Sequence, residues 1–295
     1  MNNAVHSIAI SKEDFYRFRE FFYRKTGIWF DETKRYFVDK RLVDRIIATN
    51  SDNFRNYFVM LRFQKSGEEL QELINSMTVN ETYFFREEYQ LRCLTHSILP
   101  KIVAEKRDNS PIRIWSIPSS SGEEPYSIAI YLLEYWGGIN QWDVEIISSD
   151  IDTNILMSAQ RGVYSQRSVQ HLPPHILAKY FKSADEGYEI CDDLKDAVEF
   201  TRVNLVDPLE TRAYRNFDII FCRNLLIYFD ERSRRIAAEN LYDAMKPGGY
   251  ILLGHTESIS RISSLFKVCK FPEAIVYKKP FSNRRELDER YSGNR

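Results

Sequence analysis

Two adjacent carboxylates, Glu123 and Glu124, follow a run of small residues at 119–122. They stand just before Pro125, and acidic residues and proline are typical of the first turn of a helix. Carboxylates at a helix start repel a phosphate, and no lysine lies near this loop, so a phosphate-binding loop is disfavoured. A ligand with a positive centre suits these residues better.

A predicted strand, loop and helix position these carboxylates. Alternating apolar residues over 112–117 predict the strand, and the apolar residues at 128–133 predict the helix. Such a unit binds nucleotide-like ligands at the carboxyl edge of a sheet. A second strand, over 144–149, ends at Asp150, where an acidic residue would hold ribose hydroxyls; Asp152 either shares that role or caps the next helix. S-adenosylmethionine (SAM) carries ribose hydroxyls and a positive centre, so we expect it as the ligand.

The segment 78–87 places polar side chains among three aromatic residues. Its polar members include Asn80, Thr82 and Arg86. The spacing of Thr78 and Glu81 is that of a capping box, which predicts only the start of a helix. The density of polar groups indicates instead a contribution to the ligand site, and both interpretations stay open at this point.

A basic set on a predicted helix at about 32–47 also has two interpretations. Lys34, Arg41 and Arg45 recur at helical spacing and share one face. With Asp39 and Asp44 nearby, this face is either a solvated surface or a docking surface for an acidic helical partner.

The pattern of apolar residues divides the chain. Residues 1–76 predict an all-helical domain, with a cap at Ser11 and a helix end at Gly27. Residues 77–90 form a linker that contributes to the site. Strand and helix signals then alternate over 91–280, which predicts an α/β domain; a sharp turn is expected at 246–249. A small insert with short strands interrupts this domain at about 163–200, and 281–295 form a polar tail.

Composition excludes several classes of protein. The chain has 295 residues, 43% of them hydrophobic, and a formal net charge of -1, so nothing favours nucleic acid as a partner. The four cysteines form no C-x-x-C pair, which disfavours a metal site or disulfides and fits a reducing cytoplasm. His171 and His175 lack a third metal ligand nearby. No apolar run approaches the ~18 residues that a membrane span needs.

Six ordered stretches together resemble the chemotaxis receptor methyltransferases, the CheR family. They are residues 80–87, 121–127, 149–153, 204–205, 221–230 and 246–250. The resemblance runs over roughly residues 15 to 280. It implies a Rossmann-like class I SAM-dependent methyltransferase with an N-terminal helical domain and a small antiparallel β insert.

The resemblance also assigns residues. The family's SAM contacts fall on Asn80, Thr82, Arg86, Glu124, Asp150, Asn204, Leu205, Arg223 and Asn224. Tyr228 falls where the family has a tyrosine close to the transferred methyl group. The family commonly has Ala-Ala before the loop, whereas this chain has Ile117 and Pro118; a proline donates no N–H. This departure leaves open an alternative, a catalytically weak SAM-binding regulator of a chemosensory pathway.

The implied reaction is methylation of glutamate side chains on the cytoplasmic helices of chemoreceptors, leaving S-adenosylhomocysteine. A glutamate with a reference pKa near ~4.3 is already an anion, so no general base is needed. We therefore expect Arg86 to position groups and Tyr228 to act as a neutral hydrogen-bonding residue. We expect a cytoplasmic monomer that is recruited to membrane-bound receptor arrays without inserting into the membrane. The short loop at 181–188 predicts an enzyme that needs no C-terminal receptor peptide as a tether.

Overall fold

The computed structural model describes residues 8–260 and 262–281 of the chain. Four helices make up the first part: α1 Lys12–Thr26, α2 Arg35–Ala48, α3 Phe54–Phe63 and α4 Glu68–Met77. The predicted all-helical N-terminal domain is confirmed. The second helix begins later than predicted because Glu32–Lys34 forms a separate 3-10 turn, capped by the side chain of Asp31.

Both ends of α1 follow from its sequence. The Ser11 hydroxyl accepts the N–H of Asp14, and the Asp14 carboxylate accepts the N–H of Ser11 in return. Gly27 ends the helix at a φ of 72°, and a Cβ there would lie 2.8 Å from the Val206 side chain. The predicted cap and helix end are confirmed, and the close approach at Gly27 seats the helical part against the second part of the chain.

Strands and helices alternate in the second part, as predicted. The strands of the described residues are β1 Ile112–Ser116, β2 Val144–Asp150, β3 Val163–Tyr164, β4 Phe181–Ala184, β5 Gly187–Ile190, β6 Val198–Arg202, β7 Phe217–Cys222, β8 Met245–Leu253, β9 Lys267–Lys270 and β10 Ile275–Lys278. The helices are α5 Glu88–Cys93, α6 Leu99–Glu105, α7 Glu123–Tyr135, α8 Thr153–Arg161, α9 Gln166–Val169, α10 Pro174–Tyr180, α11 Asp192–Asp196, α12 Pro208–Thr211 and α13 Glu231–Ala244. A π-helical turn, Leu94–Ile98, joins α5 to α6.

Seven strands form the main sheet in the order β6-β2-β1-β7-β8-β10-β9. The first five are parallel; β10 pairs antiparallel with β8, and β9 pairs antiparallel with β10 at the edge. Buried apolar side chains cover both faces of the sheet, as parallel strands require. The chain leaves β1 for β2 on one side and reaches β7 on the other. The strand order therefore reverses beside β1, where open α/β sheets place their ligand crevice.

The start of β8 differs from the prediction. Residues 246–249 were expected to form a turn before the strand, but β8 already begins at Met245, which pairs with Phe217. The pairing shifts register between Phe217 and Ile219, so the glycines form an irregularity within the strand. A Cβ at Gly249 would lie 3.0 Å from the Phe217 carbonyl oxygen, which explains why a glycine stands there.

A separate three-stranded antiparallel sheet, in the order β3-β5-β4, forms the predicted insert. One detail of the prediction is wrong. The polar residues 182–184 belong to β4 and do not form a loop, because their backbone pairs with β5. The main sheet resumes with β6 at Val198, close to the predicted end of the insert at about 200.

The capping-box interpretation of Thr78 is also wrong. Helix α5 begins only at Glu88, and the Thr78 hydroxyl donates to the Asp152 carboxylate across the junction of the two parts. The predicted tail lies outside the described residues, apart from Phe281. Within the two described stretches, every helix is too short or too polar to cross a bilayer.

Candidate active site

A cavity of about 380 Å³ lies at the carboxyl ends of β1, β2 and β7. Its wall includes residues of the helical part, among them Trp29 and Phe30. Most of the predicted site residues line it: Lys34, Asn80, Thr82, Arg86, Glu124, Asp150, Arg223, Asn224 and Tyr228. The fold therefore brings together side chains that are up to 194 positions apart in sequence, from Lys34 to Tyr228.

The loop after β1 presents unsatisfied polar groups to this cavity. The Ser119 N–H donates to the Ser149 carbonyl at 2.7 Å, and the Ser120 N–H donates to Asp150 at 2.8 Å. The hydroxyls of Ser119 and Ser120 are buried without a hydrogen-bond partner, and both residues line the cavity. Buried hydroxyls are normally bonded, so this pair indicates a polar ligand. The Ile117–Pro118 peptide before the loop is cis.

Asp150 is buried where β2 ends. Its two oxygens accept the N–H groups of Ser120, at 2.8 Å, and Asp152, at 3.0 Å, which leaves each oxygen a second lone pair. Burial raises the pKa of Asp150 to about 6, against the backbone hydrogen bonds, which lower it. The carboxylate lines the cavity with no cation within 4 Å among the described residues. It can accept hydrogen bonds from ligand hydroxyls.

Asp152 caps helix α8, as one of its two interpretations predicted, and its carboxylate also binds the connecting segment. One carboxylate oxygen accepts the N–H groups of Asn154 and Ile155 at the start of α8. The other accepts the Thr78 hydroxyl and, at 3.0 Å, the side-chain amide of Asn80. Asp152 thus fixes the connecting segment, and with it Asn80, against the end of β2. The sequence contains no local signal for this second contact.

Two predicted ligand contacts, Glu124 and Arg223, bind each other. The Arg223 guanidinium donates to Glu124 at 2.8 Å and to the Arg86 carbonyl at 2.7 Å, while Glu124 also accepts the Ser116 hydroxyl. Burial raises the pKa of Glu124, and Arg223 acts against that rise. The Arg223 Nε is buried without a partner. This ion pair therefore forms a polar floor of the cavity, and the Arg223 Nε can still donate a hydrogen bond.

Tyr228 lies on a 3-10 turn, Leu226–Tyr228, with about two fifths of its surface exposed. Burial of the rest raises the pKa of Tyr228, and the charge of Arg86 lowers it. The phenol is neutral at physiological pH. Arg86 is held by a 2.9 Å hydrogen bond to the Glu81 carbonyl and lies over the Tyr83 ring.

Asn204 and Leu205 do not line the cavity. The Asn204 amide donates to the Lys25 carbonyl at 2.7 Å, and the Leu205 carbonyl accepts the Asn240 amide at 2.8 Å. Asn204 thus links β6 to the end of α1. The geometry gives these two residues a structural role, and contact with a ligand stays a prediction for both.

The basic set of α2 does not form one free face. Arg41 donates to the Ser76 carbonyl at 2.5 Å and stacks on Phe37. Arg45 makes two hydrogen bonds, of 3.0 and 2.6 Å, to the buried Glu69. Lys34, in the 3-10 turn before α2, is exposed at the cavity, and docking through these three residues stays a prediction.

Some residues of the site were missed. An isolated antiparallel bridge joins Ile28 to Phe229, and it brings Trp29 and Phe30 to the cavity. Glu257 accepts backbone N–H groups of the Asn224 loop. Neither contact has a sequence signal, since each joins distant segments. No cluster of three or more His, Cys, Asp or Glu that could hold a metal ion occurs at 8–260 or 262–281.

Comparison with known proteins matches both parts of the chain. Residues 13–78 match the family model "CheR methyltransferase, all-alpha domain", and residues 80–275 match "CheR methyltransferase, SAM binding domain".

Curated relatives match over most of the chain. A Vibrio cholerae protein named chemotaxis protein methyltransferase 2 is 53% identical over 98% of this chain and 100% of its own length. A Salmonella typhimurium chemotaxis protein methyltransferase is 34% identical over 88% of this chain and 89% of its own length. A Borreliella burgdorferi protein of the same name is 36% identical over 86% of this chain and 90% of its own. These matches cover both the helical part and the α/β part, and the chain belongs to the CheR methyltransferase family.

Proposed function

We propose that this protein transfers the methyl group of SAM to glutamate side chains on the cytoplasmic helices of chemoreceptors. The observation that carries the proposal is one cavity with two kinds of group. The Asp150 carboxylate and the unpartnered Ser119 and Ser120 hydroxyls lie at its sheet edge, and the neutral Tyr228 lies on its wall. The names of the relatives, chemotaxis protein methyltransferases, support this choice of reaction and pathway.

The residues present suit SAM. Asp150 has lone pairs left for ribose hydroxyls, and Ser119 and Ser120 can bond the polar groups beside them. Asp150 has no cation within 4 Å among the described residues, so its negative charge at neutral pH favours a cationic ligand over a phosphate. Bound SAM supplies a methyl group that is activated by the positive charge of its sulfonium.

The chain's own contribution is positioning. A glutamate side chain arrives as an anion, so the protein need only align its oxygen with the methyl carbon and exclude water. Trp29 and Phe30 form an apolar part of the wall. Arg86 donates to the Glu81 carbonyl, which holds its guanidinium at the edge of the cavity, where it positions groups of the cofactor or substrate. Tyr228 offers a hydroxyl without adding charge.

A second candidate is a SAM-binding regulator with weak catalysis, which the proline at 118 first suggested. Both candidates bind SAM, but only the first transfers methyl groups. Transfer of labelled methyl from SAM to receptor cytoplasmic fragments, released as methanol by base, separates them. A protein that binds SAM and labels no fragment would establish the regulator.

The Asp150→Ala variant should bind SAM more weakly by about 1–3 kcal/mol, because ribose hydroxyls lose their acceptor. Wild-type affinity should also fall as the pH drops through about 6, because the pKa of Asp150 is raised to about 6 and the protonated carboxyl accepts fewer hydrogen bonds. Calorimetric titration with SAM measures both effects.

Asp143→Ala serves as the control. Asp143 is an exposed aspartate that directly precedes the first residue of β2. It should leave affinity and its pH dependence unchanged. Equal affinities of the wild type and Asp150→Ala would limit Asp150 to holding the loop.

The Tyr228→Phe variant should lower kcat by about tenfold or more while changing SAM affinity little, since only the hydroxyl is removed. Steady-state methylation of receptor fragments and calorimetry give the two values. Tyr188→Phe, in the insert and outside the cavity lining, is the matched control. A parallel loss of binding and turnover would make Tyr228 part of the pocket wall only.

Docking through the helical part should depend on Lys34, the member of the basic set that is exposed at the cavity. Lys34→Glu should raise KM for receptor fragments severalfold and reduce the inhibition of methylation by salt, because an attraction is removed. Lys40→Glu, exposed on α2, is the control. Receptor kinetics that are the same in Lys34→Glu and wild type would move the docking surface elsewhere.

The insert should not hold a C-terminal receptor peptide. Pairing of Ala184 with Gly187 leaves a two-residue turn, Asp185 and Glu186, between β4 and β5. Little backbone is free to wrap a peptide, and the two carboxylates repel an acidic one. The C-terminal peptide of a tether-bearing receptor should give no calorimetric signal at ~100 μM, above the micromolar range that such a contact needs. A clear isotherm would contradict this proposal.

A further inference from the structure

The loop 224–228 carries two predicted site residues, Asn224 and Tyr228, and its backbone belongs to no α-helix or strand. Asn224 adopts a left-handed conformation, with a φ of 58°. Only one short 3-10 turn, Leu226–Tyr228, follows it. The N–H groups of Asn224 and Leu226 therefore need partners from elsewhere in the chain.

Glu257, which follows β8, supplies those partners. One carboxylate oxygen accepts the N–H of Asn224 at 2.7 Å and that of Gly254 at 2.9 Å. The other accepts the N–H of Leu226 at 2.8 Å. No Lys, Arg or His nitrogen lies within 4 Å of this carboxylate in the described part of the chain. Its charge is met by backbone N–H groups, which are strong partners for a carboxylate.

Gly254 makes this contact sterically possible. A Cβ at this position would lie 2.8 Å from the Asn224 side-chain amide and 2.9 Å from the Glu257 carboxylate. The Glu257 N–H also donates to the Gly254 carbonyl at 2.8 Å, which closes a tight turn beneath the loop. Two separate features, an anchoring carboxylate and a residue without a side chain, thus place the same loop.

We propose that Glu257 is a positioning residue for methyl transfer, which holds the loop 224–228 so that Asn224 and Tyr228 face the cavity at the reacting distance. The inference rests on the proposed function, because it assigns the loop its role in that reaction. Glu257 acts through the loop and does not line the cavity.

The test compares Glu257→Gln with wild type. A glutamine places an N–H₂ group against one of the three backbone N–H groups, so the anchor is broken while side-chain volume is kept. We expect kcat for receptor fragments to fall by about ten- to a hundredfold, as for a small misplacement of reacting groups. The calorimetric SAM affinity should also fall, because the same loop carries Asn224, but the loss of kcat measured at saturating SAM should be the larger effect.

Gly254→Ala supplies an independent variant, because its Cβ displaces the same loop from below. It should reproduce the loss of kcat with the carboxylate intact. Asp218→Asn is the control: Asp218 is also a buried carboxylate that accepts a backbone N–H, that of Arg113 at 2.9 Å, and it pairs with Lys246 near the amino end of β7, away from the cavity. It should lower the melting temperature and leave kcat unchanged.

The outcomes separate two failures. A wild-type protein that labels no receptor fragment contradicts the proposed function itself. With an active wild type, unchanged kcat in both Glu257→Gln and Gly254→Ala overturns the positioning role. The role is also overturned when Asp218→Asn lowers kcat as much as they do, since the loss then reflects stability alone.

Discussion

Asp150 and Asp152, the two carboxylates at the end of β2, bind groups from three different segments. They accept hydrogen bonds from backbone N–H groups of the loop after β1 and of the start of α8, and from the side chains of Thr78 and Asn80. Each donor offsets the cost of burying a carboxylate, and each hydrogen bond fixes a part of the cavity wall. This pair therefore joins the loop, the helix and the connecting segment at one point of the site.

The ion pair of Glu124 and Arg223 is a second buried interaction that positions parts of the site. Both side chains are nearly inaccessible to solvent, at 13% and 3% exposure. Removing one partner would leave the other charge buried alone, which is far more destabilising than replacing both. The pair also fixes Arg86 through its carbonyl, so an interaction within the floor of the cavity determines where a residue at its edge stands.

Local patterns carried most of the fold prediction. The Ser11 cap, the end of α1 at Gly27 and the strand–loop–helix unit around Gly122 depend on neighbouring residues, and their sequence is sufficient to predict them. Errors arose where pairing with another strand decided the outcome. Residues 182–184 look polar and loop-like but pair with β5, and the glycine turn before β8 is absorbed by its pairing with β7.

The candidate site was predictable as a set of residue types but not as a set of contacts. The motifs identified residues that meet at one cavity, although nothing local shows that Glu124 pairs with Arg223 or that Arg45 pairs with Glu69. Glu257 was missed for the same reason, since its three partners are recognisable only when β8 is placed beside β7. Asn204 matches a SAM-contact position of the family, but its side-chain amide donates a hydrogen bond to the Lys25 carbonyl.

The bridge between Ile28 and Phe229 has a thermodynamic consequence. Together with the bonds from Tyr23 to Asp230 and from Asn204 to Lys25, it joins the helical part to the segment next to Tyr228. A ligand that contacts both sides of the cavity binds only the docked arrangement, so its free energy of binding is added to the stability of that junction. Occupancy of the cavity and attachment of the helical domain are therefore linked equilibria, and a change in either one changes the other.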